Sequence, residues 1–82
     1  MIHAIEFRSE LLAEVDRPEY AFVAQVVIQK GTSLHADVRP YVAESDDGPL
    51  EVADLYLEDG SIVRAVRFAA FRFLDRAKRR KE

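Results

Sequence analysis

Residues 20–43 read YAFVAQVVIQKGTSLHADVRPYVA, and this stretch decides the predicted fold. In its second half, from Leu34 to Ala43, apolar and polar residues alternate, which is the period of two that turns one face of a β-strand toward a core. The first half, from Tyr20 to Ile28, is apolar on both sides and predicts a central strand that is covered on both faces. A turn at residues 30–33 joins the halves into a hairpin. Pro40 has no backbone N–H and is therefore predicted at a sheet edge or a bulge.

Length and composition predict one small soluble domain spanning residues 1–82. A chain of 82 residues buries only about 60% of its unfolded surface on folding, so a single modest core is expected. The absence of cysteine excludes disulfides, thiolate metal sites and cysteine nucleophiles, and it fits a reducing compartment. No apolar run approaches the roughly 20 residues of a membrane span. We therefore expect a cytoplasmic protein without a membrane partner.

Further strands are predicted on both sides of this hairpin. Residues 5–15 alternate well enough to predict one long strand, although a helix over residues 8–15 is the rival interpretation, since Phe7, Leu11 and Val15 also recur every four residues. Residues 44–49 form a polar loop with a Gly-Pro breaker. Strands at residues 52–57 and 62–67 flank Asp59-Gly60, a strong hairpin signal.

The last part of the chain is predicted to contain the only helix. A helix that began at Ile62 would place Phe68 and Phe71 among arginines on its polar face. A later start, near Ala69, is therefore preferred. The predicted fold class is α+β, with a curved antiparallel β-meander of about five strands over residues 2–67 and one C-terminal α-helix over residues 68–80. One helix covers only part of such a sheet, so the sheet must curl on itself or pair with a second copy.

No residue pattern indicates catalysis. His3 and His35 lie at no metal-ligand spacing, and His35 beside Asp37 is interpreted as part of a solvated strand face. The acidic pairs at residues 46–47 and 58–59 adjoin glycines and are interpreted as turn formers. The sequence contains neither a GxGxxG motif nor a P-loop. We therefore predict no enzyme activity, no catalytic or metal-binding residue and no cofactor.

The distribution of charge suggests an interaction module. Residues 1–63 hold four Lys/Arg against thirteen Asp/Glu, whereas residues 64–82 hold eight against two. A basic tail that meets the acidic body of a second copy, or of an acidic protein partner, predicts a salt-sensitive homodimer. The alternative is a nucleic-acid-binding accessory protein that uses the basic C-terminal helix. The candidate contacts for either partner are Tyr41, Phe71, Arg72, Arg76, Arg79 and Arg80.

Overall fold

The computed structural model describes residues 1–74, which form a seven-stranded antiparallel sheet. The strands are β1 (Ile2–Phe7), β2 (Leu11–Asp16), β3 (Val23–Ile28), β4 (Ser33–Ser45), β5 (Gly48–Leu57), β6 (Ile62–Arg67) and β7 (Phe71–Phe73). Their order across the sheet is β3-β2-β6-β5-β4-β1-β7. A 3-10 turn at Phe68–Ala70 separates β6 from β7. It is the one helical element in residues 1–74, and no helix there is long and apolar enough to cross a membrane.

Short connections force this sheet to curl. Residues 8–10 join β1 to β2, and residues 29–32 join β3 to β4, yet the strands of each pair lie four positions apart in the sheet. In a flat sheet that separation is about 19 Å, whereas the two connections span at most about 14 and 18 Å. The turn at Phe68–Ala70 bridges the same four positions between β6 and β7. The sheet therefore bends until its distant strands meet.

Backbone hydrogen bonds around Phe7 hold the curl closed. The Phe7 N–H donates to the Thr32 carbonyl at 2.9 Å, and the Gly31 N–H donates to the Phe7 carbonyl at 2.8 Å. The next residue, Arg8, donates its N–H to the Ala70 carbonyl at 2.7 Å. The end of β1 thus fastens the β3–β4 connection and the β6–β7 turn to the same point.

The inner face of the curled sheet forms the core. The Phe7 ring is 1% exposed and lies 6.3 Å from the Phe71 ring in an edge-on arrangement. The other buried members of the core come from β1 to β6: Ile5, Ala13, Val15, Ile28, Ala36, Ala53, Leu55, Val63 and Val66. The curl itself, rather than a helix, supplies the second side of the hydrophobic layer.

The predicted C-terminal helix, and with it the α+β fold class, is wrong for the described residues: the protein is a nearly all-strand antiparallel sheet. Phe71 and Phe73 point toward the core on either side of exposed Arg72, and the three pair with β1 as β7. This is a period of two, which a strand satisfies and a helix does not. The predicted helix extends to residue 80, and its part beyond residue 74 lies outside the described residues.

Three predictions about the strands also need correction. The hairpin of residues 20–43 does not form, because β3 pairs with β2, and β4 pairs with β1 and β5. The predicted first strand over residues 5–15 divides into β1 and β2 at residues 8–10. The sheet has seven strands rather than five. In contrast, the strand at Ile62–Arg67 and the hairpin turn before it are confirmed.

The β4–β5 hairpin extends past its neighbours. Pairing of β1 with β4 ends at Asp37, and pairing of β6 with β5 ends at Val52, so the distal half of the hairpin has two open edges within the described chain. Pro40 lies on this open part of β4, in agreement with its predicted place at an edge.

Replacing Phe7 tests the closure of the curl. Phe7→Ala should lower the free energy of unfolding by about 3–5 kcal/mol, because it removes a buried ring and leaves a cavity where the connections meet. Urea unfolding monitored by circular dichroism measures this change. Phe22→Ala, at a ring that is 66% exposed, is the matched control and should change the stability of dilute protein by less than about 0.5 kcal/mol. Equal effects of the two substitutions would contradict the proposed packing.

Candidate interaction surface

Strand β3 lies at one end of the sheet. It pairs with β2 from Val23 to Ile28 and has no strand partner on its other side within residues 1–74. An edge strand presents unpaired N–H and C=O groups along its length, and these groups can pair with another polypeptide. The residues of β3 are all uncharged, and none of them is proline. The edge therefore lacks the side chains that commonly discourage such pairing.

Large apolar side chains are exposed along this edge. Val23 and Val27 of β3 are 48% and 51% exposed, and Leu12 of β2, which lies opposite Val27, is 62% exposed. Just before the strand, Tyr20 and Phe22 stack with their ring centroids 5.6 Å apart and their planes inclined by 15°. We call these five residues (Leu12, Tyr20, Phe22, Val23 and Val27) the β3 surface. They are five of the nine large apolar side chains that are exposed in residues 1–74.

Two carboxylates of β2 line the inner margin of the β3 surface. Glu14 lies opposite Gln25, and Asp16 lies opposite Val23, on the outward side of β2. Asp16 is engaged by Arg64, whose Nη2 lies 3.0 Å from its Oδ2. The surface thus combines an apolar centre with carboxylates on its inner margin, a composition that suits contact with protein better than contact with a polyanion.

Other open edges carry protective residues. The part of β4 beyond β1 contains Pro40, and the part of β5 beyond β6 contains Pro49. Strand β7 is three residues long and has Arg72 at its centre. Proline, charge and short length are the usual means of blocking edge-to-edge association. Among these edges, β3 is the one left available for pairing.

A polar network covers the outward side of β4, β5 and β6. The Asp54 carboxylate accepts hydrogen bonds from the Tyr41 hydroxyl at 3.0 Å and from the Ala65 N–H at 2.9 Å, and Arg64 Nη1 lies 3.3 Å from its other oxygen. Ala65 has φ of 53° and lies in β6 where the register with β5 shifts. Asp54 therefore caps a β-bulge whose alanine adopts the left-handed region, and the network has a structural role.

Tyr41, Phe71 and Arg72 occupy different environments. Tyr41 is 42% exposed and bonded to Asp54, whereas Phe71 is 3% exposed and belongs to the core. Arg72 is exposed and forms an ion pair with Glu6 at 2.6 Å. The structure does not bring these three together into one surface. The remaining candidates, Arg76, Arg79 and Arg80, lie outside the described residues.

Sequence reasoning did not identify the β3 surface. The sequence feature that could have indicated this surface is the apolar character of both faces of residues 20–28. That feature was interpreted as a central strand covered on both sides. That interpretation is wrong, because no strand of residues 1–74 pairs with the outer edge of β3, and its outward residues are exposed there. The same pattern is compatible with burial inside one chain and with burial between chains.

Comparisons with known proteins add no relative. No family model matches the chain, and neither the curated proteins nor the solved structures contain a match. Within residues 1–74, no group of three or more His, Asp or Glu residues is arranged to hold a metal ion.

Glycine in place of Ala65 at the β-bulge should stabilise the protein. Ala65→Gly should raise the free energy of unfolding by about 0.5–1 kcal/mol, because glycine adopts positive φ without the cost that an L-side chain incurs. Ala43→Gly in β4, where φ is not positive, is the control and should be destabilising by about 0.5–1 kcal/mol. Thermal unfolding of both variants measures the two effects, and a loss of stability in Ala65→Gly would exclude a strained alanine.

Tyr41, in the network around Asp54, should titrate above pH 10. Partial burial raises the pKa of the Tyr41 phenol above its ordinary value of 10.0, and the hydrogen bond to Asp54 adds to the rise. Because the folded state favours the neutral phenol, this contribution to stability is complete below pH 10 and is lost as pH rises through the folded pKa. The difference in phenolate absorbance between wild type and Tyr41→Phe measures the titration, and Asp54→Asn should lower the pKa. A midpoint at or below 10 would contradict the network.

Proposed function

We propose that this protein is a small non-catalytic protein-interaction module that forms a homodimer through the β3 surface. The observation that carries the proposal is the concentration of exposed apolar side chains beside an open sheet edge. Single exposed apolar residues are common on protein surfaces, but contiguous groups mark contact sites. A cytoplasmic location is part of the proposal, and the absence of cysteine fits the reducing conditions there.

The chemistry of the β3 surface supports a protein partner. Aromatic residues at the centre of a contact contribute much of its energy when they are desolvated. Tyr20 and Phe22 already stack in the free chain, so binding them costs little additional side-chain entropy. Val27 is 51% exposed, so covering it with a partner would add up to about 1.5 kcal/mol.

The dependence of the dimer on salt distinguishes this proposal from the charge-based alternatives. In residues 1–74, Arg39, Arg64 and Arg72 each form an ion pair with an aspartate or glutamate of the same chain. These three cations already have carboxylate partners, and the basic residues 76–81 on which the alternatives depend lie outside the described residues. An apolar contact should persist at high salt, whereas a contact between a basic tail and an acidic body should weaken.

The test is a size-resolved mass across a range of concentrations. Wild-type protein, passed through a gel-filtration column with light-scattering detection, should approach twice the chain mass of 9.4 kDa as concentration rises, at low and high salt alike. Val27→Lys should shift this transition to at least about tenfold higher concentration, because it sets a charge against an apolar side chain at the contact. Val42→Lys, at another exposed valine, on the β4–β5 hairpin, is the matched control and should dimerise like wild type.

Three results would contradict the proposal. A monomer at every usable concentration would exclude the homodimer. Equal effects of Val27→Lys and Val42→Lys would exclude the β3 surface as the contact. A mass that rises only when a short single-stranded oligonucleotide is added, and falls again at high salt, would favour nucleic-acid binding instead.

A further inference from the structure

We infer that the two copies associate edge to edge, with β3 of one copy pairing antiparallel to β3 of the second about a two-fold axis at Gln25. This inference rests on the proposed function and specifies the partner of the β3 edge as the same strand of another copy. The sheets of the two copies would then join into one continuous sheet. The inference depends on the open edge, on the side-chain pattern of β3 and on the charges at its ends.

The side-chain pattern of β3 is symmetric about Gln25. Val23, Gln25 and Val27 face outward, while Ala24 and Val26 face inward. Antiparallel pairing centred on Gln25 places Val23 of each copy opposite Val27 of the other, and it places Gln25 opposite Gln25. Apolar residues then meet apolar residues on the outward side, and the two amides can bond to each other.

The neighbouring registers match less well. Residues directly opposite each other in a sheet share a face. An alternative register must therefore keep outward residues opposite outward residues, which shifts the pairing by two residues at a time. Axes at Val26 and at Ala24 both satisfy this condition, but the first places Gln25 opposite Val27 and the second places Gln25 opposite Val23. Each of these pairs sets an amide against an apolar side chain, so neither the apolar contacts nor the amide–amide bond of the Gln25 register forms. The pattern therefore selects the axis at Gln25.

The charges that flank β3 favour the antiparallel direction. Glu19 precedes the strand and Lys30 follows it, and both are exposed. Antiparallel pairing brings the start of one strand to the end of the other, so each Glu19 approaches the Lys30 of the second copy. Parallel pairing would bring like charges together at both ends. The flanking residues thus reinforce the direction that the two-fold axis requires.

Single introduced cysteines can test this pairing by cross-linking, because the chain has no cysteine of its own. Opposite residues of antiparallel strands have Cα atoms about 4.5 or 5.5 Å apart, within the range of a disulfide. Under mild oxidation, Gln25→Cys should shift from one to two chain masses on a non-reducing gel. Val23→Cys alone should not, because its two copies would lie about 13 Å apart along the strands. A mixture of Val23→Cys and Val27→Cys, one of them carrying a size tag, should form the mixed dimer.

The outcomes separate this inference from the proposed function. Val42→Cys measures collisional cross-linking, and circular dichroism confirms that each variant folds. If wild type is a dimer but Gln25→Cys cross-links no faster than Val42→Cys, edge pairing is wrong and the homodimer stands. Cross-linking of a Gln25→Cys and Val27→Cys mixture in preference to Gln25→Cys alone would overturn the register. A monomeric wild type would overturn both proposals.

Discussion

The closure of the curled sheet at Phe7 is the constraint on which the rest of the structure depends. The backbone of Phe7 bonds to the β3–β4 connection, and the adjacent Arg8 bonds to the β6–β7 turn. These links hold strands that are four positions apart in the sheet close enough for short connections to reach. Because the sheet folds onto itself, Phe7 and Phe71 lie inside, and residues 1–74 enclose this core without an α-helix.

A sheet that curls in this way buries one face and leaves the other exposed. On the outward side, β4 to β6 are covered by polar contacts, including the Arg39 guanidinium 4.2 Å above the Tyr56 ring and the network around Asp54. On β2 and β3 the same side carries Leu12, Val23 and Val27 instead. This difference between the two parts of the outer surface is the physical basis for assigning the contact to β3.

Parts of both the fold and the candidate site were within reach of sequence reasoning. The alternation in β4 and the Asp-Gly turn before β6 identified strands, since both signals are local. The helix prediction failed because β7 is three residues long, too short for a period of two to stand out against a helical pattern. The β3 surface was missed because an apolar strand looks the same whether its own chain or a partner covers it.

The sequence by itself determined which side of β4 is apolar: the alternation assigns Leu34, Ala36 and Val38 to a core, and all three lie in it or against it. Only the tertiary structure decided which strands pair, that β3 lies at an edge, and that its outward face is exposed. The physical reason is that side-chain direction is local, whereas strand pairing is long-range. Side-chain direction follows from backbone geometry within two residues. Strand order, in contrast, depends on which distant segments can meet within the reach of their connections and enclose the aromatic core.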